Sequence, residues 1–317
     1  MNAKQKFIIL GTTLLLSGCG IYTKYEPQDT VPDNLYGEEA ASLSADTTSI
    51  ADIDWRDFFN DPYLQALIEK GLAQNTDVQT ANLRIEEAKA SLLSAKLAFL
   101  PSFALSPQGS INTVESQVSR TYTLPITASW ELDIFGKLRN AKRQAKAAYA
   151  QSEDYRQAVY SSLTANIANT YYTLLMLDEQ LDISRQTANS WKETVSSTQA
   201  LMDAGLADEA AVSQMQATYY EVENSVIDLE EQINQVENSL SLLLAETPRH
   251  YPRGKLSDQE FTSDLSTGIP LQMLSRRPDV RMTELQLEQA FYTTNQANAA
   301  FYPSITLSGS AGWTNSS

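Results

Sequence analysis

Two stretches of this chain contain neither glycine nor proline: Lys137–Ala204, 68 residues, and Leu206–Thr247, 42 residues, with Gly205 alone between them. Glycine and proline are the residues that most disfavour a helix interior. The runs therefore predict helices of roughly 100 Å and 60 Å at ~1.5 Å per residue. In the second run, Met215, Tyr219, Val222, Val226, Leu229, Ile233, Val236, Leu240 and Leu243 keep a strict 4-3 spacing. That is a heptad seam, and it predicts coiled-coil packing. A looser stripe at the same period, from Leu163 through Ile167, Leu174, Leu181 and Ala188 to Val195, marks the first run. A soluble coiled-coil hairpin satisfies these helices as well as any larger sheath does.

The segment before them obeys a different period. In YTLPITASWELDIFGK, residues 122–137, the even positions from Tyr122 to Ile134 are Tyr, Leu, Ile, Ala, Trp, Leu and Ile. The odd positions from Thr121 to Asp133 are polar apart from Pro125. Alternate side chains of a strand face opposite sides, so residues 121–134 predict one strand with an oily and a wet face. Ordinary strands run about 5–6 residues, and this alternation lasts 14. It fits an amphipathic edge strand on a soluble sheet, or a bilayer-spanning strand that needs ~9–11 tilted residues. Residues 101–113 alternate too, through Phe103, Leu105, Gly109 and Ile111, and predict the partner strand of a hairpin.

The N-terminus reads as an export signal. Lys4 and Lys6 precede ten apolar residues, Phe7–Leu16, followed by Ser17, Gly18 and Cys19. Ten residues are too few for a membrane helix, and the basic flank fits a secretory signal over 1–18. LSGC resembles a bacterial lipobox, and Cys19 is the sole cysteine in 317 residues. Lipidation at Cys19 is therefore expected, with no intrachain disulfide. Gly20 replaces the Asp that bacterial sorting associates with inner-membrane retention, so the outer membrane is the expected destination.

Composition narrows the chemistry. A net charge of −16 argues against nucleic acid and against anionic headgroups as partners. No apolar run approaches the ~20 residues of a membrane helix, so any membrane crossing is as a barrel. No catalytic constellation, phosphate loop or zinc spacing occurs; the expectation is a non-enzyme with no cofactor and no metal. His250, the only histidine, sits in TPRHYPRG and reads as a solvated loop residue. In Arg276-Arg277-Pro278-Asp279 the proline reads as a helix start, with Asp279 at its positive end.

A shift of 202 places residues 77–106 over 279–308 without a gap, with 12 of 30 positions identical, among them Asp77/Asp279, Ala95/Ala297, Phe99/Phe301 and Pro101/Pro303. The chain is an internal duplication. Ser317 maps onto residue 115, so counterparts of 116–247 are expected in a longer natural protein of roughly 450 residues if the repeat is faithful.

SWELDIFGKLR at Ser129–Arg139, RRPDVR at Arg276–Arg281 and ANAAFYPSITLSGSAG at Ala297–Gly312 resemble the outer-membrane factor (TolC-like) efflux channels, specifically the lipoprotein branch serving resistance-nodulation-division systems. The resemblance implies an α+β membrane protein: a trimer in which a long α-helical coiled-coil barrel joins a transmembrane β-barrel. Its implied role is the outer-membrane exit duct of a tripartite efflux pump, passively conducting small molecules. The implied partners are further copies of itself, a periplasmic adaptor (membrane fusion) protein, an inner-membrane resistance-nodulation-division pump and outer-membrane lipid. On this reading Thr127, Ser129, Glu131 and Asp133 line the pore, and Gly205, Asp208 and Glu209 form a periplasmic-tip turn. Met202 and Ala211 stand where the family commonly has an aromatic and an acidic residue. Nine acids in Leu206–Thr247, with no Lys or Arg, are expected to stand unpaired along the water path and favour cations, the alternative being a solvated outer helix face that docks a basic adaptor. The alternative is a lipid-anchored periplasmic coiled-coil scaffold without channel activity.

The expected organisation is a signal over 1–18 and an extended anchored segment over 19–62. A first repeat over 63–270 follows, with helices 63–100, barrel strands 101–135, long helices 138–203 and 206–246, and a linker 247–270. A second repeat begins at 271–317, with helix 279–300 and strand 303–313.

Overall fold

The computed structural model describes residues 23–27, 54–114, 117–259 and 277–316. The signal segment, Cys19, most of 19–62, Arg276 and the second half of the 247–270 linker lie outside them. Two compact units divide the chain. The first takes Met1–Leu35, Asn82–Tyr155 and Leu271–Ser317; the second takes Tyr36–Ala81 and Arg156–Pro270.

In chain order the elements are α1 (Trp55–Phe58), α2 (Pro62–Gln74), α3 (Thr76–Leu97), β1 (Ser102–Leu105), β2 (Gln108–Val114), β3 (Gln117–Leu132), α4 (Lys137–Asp203), α5 (Glu209–Leu243), a 3-10 turn (Leu256–Asp258), α6 (Pro278–Ala299) and β4 (Ile305–Ser316). Shifting α3 by 202 reproduces the bounds of α6, so the duplication is structural as well as textual.

The first unit holds the sheet. β3 spans 16 residues and pairs antiparallel with β1, β2 and β4. Leu105 pairs with Ile126 and Gln108 with Thr123, so β1 and β2 keep one register against β3. The single strand expected over 101–113 is thus interrupted at Ser106-Pro107, where Pro107 has no N–H to donate. Pro125 lies opposite this break, and its carbonyl accepts the Ser106 N–H at 3.2 Å. Across the other ladder, Pro125 pairs with Gly312. A Cβ on Gly312 would meet Pro125 Cα at 2.8 Å, so glycine permits that approach.

The second unit is helical. Leu64, Ile68, Ile167, Tyr171, Leu174, Leu240 and Leu244 are its buried centre. Of the α5 seam, Leu229, Ile233 and Leu240 are buried and the remaining positions half-buried. Asp61 caps α2, accepting Tyr63 N–H at 2.8 Å, with Pro62 in the first turn. Asn75 caps α3 through Asp77 N–H at 2.8 Å, and its Nδ2 donates to the Leu243 carbonyl at 2.9 Å.

Candidate functional site

The register sorts the sheet into two faces. Opposite residues share a face in an antiparallel ladder. Leu124 therefore sits beside Trp313, Ile126 beside Leu105, Ala128 beside Phe103 and Trp130 beside Leu307. On the other face Thr123 sits beside Thr314, Thr127 beside Ser310, Ser129 beside Ser308 and Ser102, and Glu131 beside Thr306. The apolar face is exposed: Phe103 is 71% accessible, Trp313 62% and Leu307 55%. A contiguous apolar surface of this kind marks a face that meets another surface, whether protein or lipid. The wet face is mostly hydroxyls, with the amides of Gln108 and Asn112 among them and Glu131 at its end.

At that end, strands and helices meet. The Trp130 indole N–H donates to the Phe99 carbonyl at 2.9 Å, and the rings of Phe135 and Tyr302 stack at 4.7 Å. β3 stops at Leu132, one residue short of Asp133. Asp133 does not continue the wet face as the alternation predicted. Its two carboxylate oxygens accept the N–H groups of Leu138 and Arg139, each at 2.9 Å, capping α4. The unsatisfied N–H groups of a helix start attract a carboxylate more strongly than an exposed strand position does. Glu131 keeps its place on the wet face, 3.6 Å from Lys137 Nζ. Thr127, Ser129 and Glu131 are thus brought onto one surface, and Asp133 is not.

The turn between α4 and α5 closes by glycine geometry. Gly205 has φ +75°; its N–H reaches the Met202 carbonyl at 2.9 Å and Leu206 N–H reaches Leu201 O at 2.8 Å. This is a Schellman cap, which requires a left-handed residue. Asp208 then caps α5 through Ala211 N–H at 2.8 Å, with Glu209 in the first turn.

The nine acids of Leu206–Thr247 are not a row of free carboxylates. Glu230 pairs with Arg185 at 2.6 Å, Glu246 with Lys70 and with Arg249, and Glu223 accepts the Tyr219 hydroxyl. Glu237 is buried, 3% exposed, accepting from Arg253 Nη1 at 2.5 Å and lying 2.6 Å from His250 Nδ1. Tyr219 and Arg249 are near neighbours in sequence, whereas Lys70, Arg185 and Arg253 reach these carboxylates from other segments, which no local pattern records. His250 is largely solvated, as expected, yet it touches Glu237. Arg253 also grips both oxygens of Asp178; these hydrogen bonds, above all those to Asp178, hold it charged far above any accessible pH. Nearby, Asp61 Oδ2 accepts the Tyr171 hydroxyl at 2.5 Å and Gln259 Nε2 at 2.9 Å. Burial, then the Asp61 bond, pushes the Tyr171 phenol well above its usual range. The first half of the 247–270 linker is thus a strap locked to the helices. One signal could have found it: Arg249, His250, Arg253 and Lys255 follow 56 residues without a base. At the duplicated helix start, Arg277 donates to Asp279 at 2.7 Å and holds its carboxylate below the usual range. Among the described residues no helix is long and apolar enough to cross a membrane, and no cluster of three His, Cys, Asp or Glu side chains could hold a metal ion.

A sequence profile for the family described as "Outer membrane efflux protein" matches residues 67–246 and 269–317. The "Probable efflux pump outer membrane protein TtgC" of Pseudomonas putida is 28% identical over 314 residues, 95% of this chain and 65% of TtgC. The "Probable outer membrane lipoprotein SilC" of Salmonella typhimurium is 29% identical over 311 residues, 96% of this chain and 67% of SilC. The crystal structure of CusC, described for folding and transmembrane channel formation, superposes with a TM-score of 0.80 at 24% identity, over 92% of this chain and 67% of that one. The described fold is that of these channels, and the chain spans about 65% of the length of TtgC.

Proposed function

The chain belongs to the outer membrane efflux protein family, and from that premise we propose that it serves as the outer-membrane exit duct of a tripartite efflux pump. The observation that carries this reading is the sheet: one exposed apolar face and one hydroxyl-lined face, on strands long enough for a bilayer. A sheet spanning lipid must close, because open strand edges leave backbone groups unsatisfied in hydrocarbon. Three copies sharing one barrel provide the closure, with Thr127, Ser129 and Glu131 toward water. The helices descend into the periplasm to meet an adaptor and an inner-membrane pump of the resistance-nodulation-division class. Cys19 carries the lipid anchor, a reading supported by SilC's description as an outer membrane lipoprotein. Cys19→Ser should release or mislocalise the protein.

The decisive experiment is conductance of the purified full-length protein in a planar bilayer. Stepwise ion-conducting openings from a heat-resistant trimer are expected. A monomer, or bilayers without conductance at protein densities that insert, would rule the duct out.

A further inference from the structure

The rim where helices meet sheet carries charge opposite in sign to the chain as a whole. Residues 134–152 contain five basic side chains and no acid, in a chain of net charge −16. Four of the five, Arg139, Lys142, Arg143 and Lys146, follow i, i+3, i+4, i+7 spacing and share one face of α4. Lys142 and Lys146 are exposed. The acids at this rim are occupied: Glu131 lies 3.6 Å from Lys137, and Asp133 caps α4. The next acids along the three helices, Glu153, Glu87 and Glu288, stand about two turns or more away.

Two contacts fix where this stripe lies. Lys142 Nζ sits 5.8 Å from the centroid of the Phe99 ring, and the Phe99 carbonyl holds the indole of Trp130, a member of the apolar face. The stripe therefore starts beside the oily side of the sheet, with the 88%-exposed Phe301 from the duplicated motif at the same junction. Aromatic rings with basic side chains just beyond them are how membrane proteins mark an interface. Arg143 Nη1 also donates to the Thr23 carbonyl at 3.3 Å.

Resting on the membrane reading of the sheet, we propose that this face of α4 binds the phosphate groups of anionic phospholipids in the periplasmic leaflet, with Lys142 and Lys146 as the contacting ammonium groups. A chain this acidic is otherwise repelled by an anionic surface. Local reversal of sign at the rim turns repulsion into attraction, worth roughly fivefold in binding per basic side chain, and pins the depth at which the sheet sits.

The test is quenching of Trp130 fluorescence by brominated lipids, with the full-length protein in a Trp55→Phe/Trp191→Phe/Trp313→Phe background reconstituted into vesicles. Brominated phosphatidylglycerol should quench at about one-twenty-fifth the mole fraction needed for brominated phosphatidylcholine, roughly fivefold for each of the two lysines. Lys142→Gln/Lys146→Gln should bring the two lipids within about twofold, and Lys142→Arg/Lys146→Arg should keep the preference. Equal quenching in the starting protein, or a preference that survives the Gln pair, overturns the headgroup site and leaves the membrane reading standing. Loss of the preference on adding inorganic phosphate at constant ionic strength would mark a free-phosphate site and also overturn it. Quenching by neither lipid would remove the membrane reading and this proposal together.

Discussion

Arg253 Nη1 donates to Glu237 Oε1 at 2.5 Å while its Nε and Nη2 hold Asp178, so one guanidinium ties the strap after α5 to both long helices. Removing the arginine leaves a buried carboxylate with only the exposed His250 beside it. Breaking a buried pair by deleting one partner costs about 3–5 kcal/mol. Arg253→Met should therefore lower thermal stability markedly, while Arg253→Met/Glu237→Leu should recover most of the loss. Melting of the purified protein in detergent decides this, and a single variant as stable as the parent would refute it.

Glu246 gives the same region an acid limit. Its carboxylate is held below the usual glutamate range, first by the hydrogen bond from Lys70 and further by the charges of Arg249 and Lys70. A lowered folded value means the stabilisation is complete above the ordinary value of 4.5 and fades as pH falls through the lowered one. Lys70→Met should remove the larger part of that acid sensitivity. Melting temperatures across pH 3 to 6 (about the carboxylate range) provide the comparison; parallel curves for variant and parent would contradict it.

Gly312 faces Pro125 too closely for any side chain. Gly312→Ala must separate β4 from β3 or bend it, because the clash is with backbone rather than with a flexible side chain. If three copies share one barrel, the expected result is loss of heat-resistant trimer at about 2 kcal/mol or more of strain. Gly309→Ala, with open space around it, should be tolerated. Equal trimer yield from the two variants would defeat the argument.

Ala245 holds φ +53° at the end of α5, where Glu246 N–H bonds to Ser241 O at 2.9 Å. This is the cap that Gly205 forms at the end of α4, built with a residue that pays for its Cβ. Ala245→Gly should raise stability by about 0.5–1 kcal/mol, the left-handed penalty less glycine's extra chain entropy. A lower melting temperature would count against the strain.

Glu131 is the carboxylate that remains on the hydroxyl face. If that face lines the water path, Glu131→Gln should reduce cation preference severalfold, because fixed charge in a narrow path sets the counter-ion concentration. Reversal potentials under a salt gradient report it, and an unchanged potential would move Glu131 out of the lumen.

What the sequence determined by itself are the features that repeat. A period of two assigned Leu124, Ile126 and Trp130 to one face and Thr123, Thr127 and Ser129 to the other, because pleating alternates side chains. A 4-3 period picked out Leu229, Ile233 and Leu240 as buried, because a helix stacks those positions on one stripe. The 202-residue echo foretold that α3 and α6 share bounds. Tertiary structure alone decided the pairings that have no period. Asp133 reads as the next wet position of a strand, and only the proximity of the first N–H groups of α4 turns it into a cap. Glu237 reads as one more solvated acid in an acidic helix, and only the fold-back of Arg253, with Asp178 brought in from 75 positions away, makes it a buried ion. Lys142 reads as an ordinary surface charge until Phe99 is found beneath it. Periodicity assigns a residue to a face; which charge meets which depends on where distant segments return, and local sequence carries no record of that.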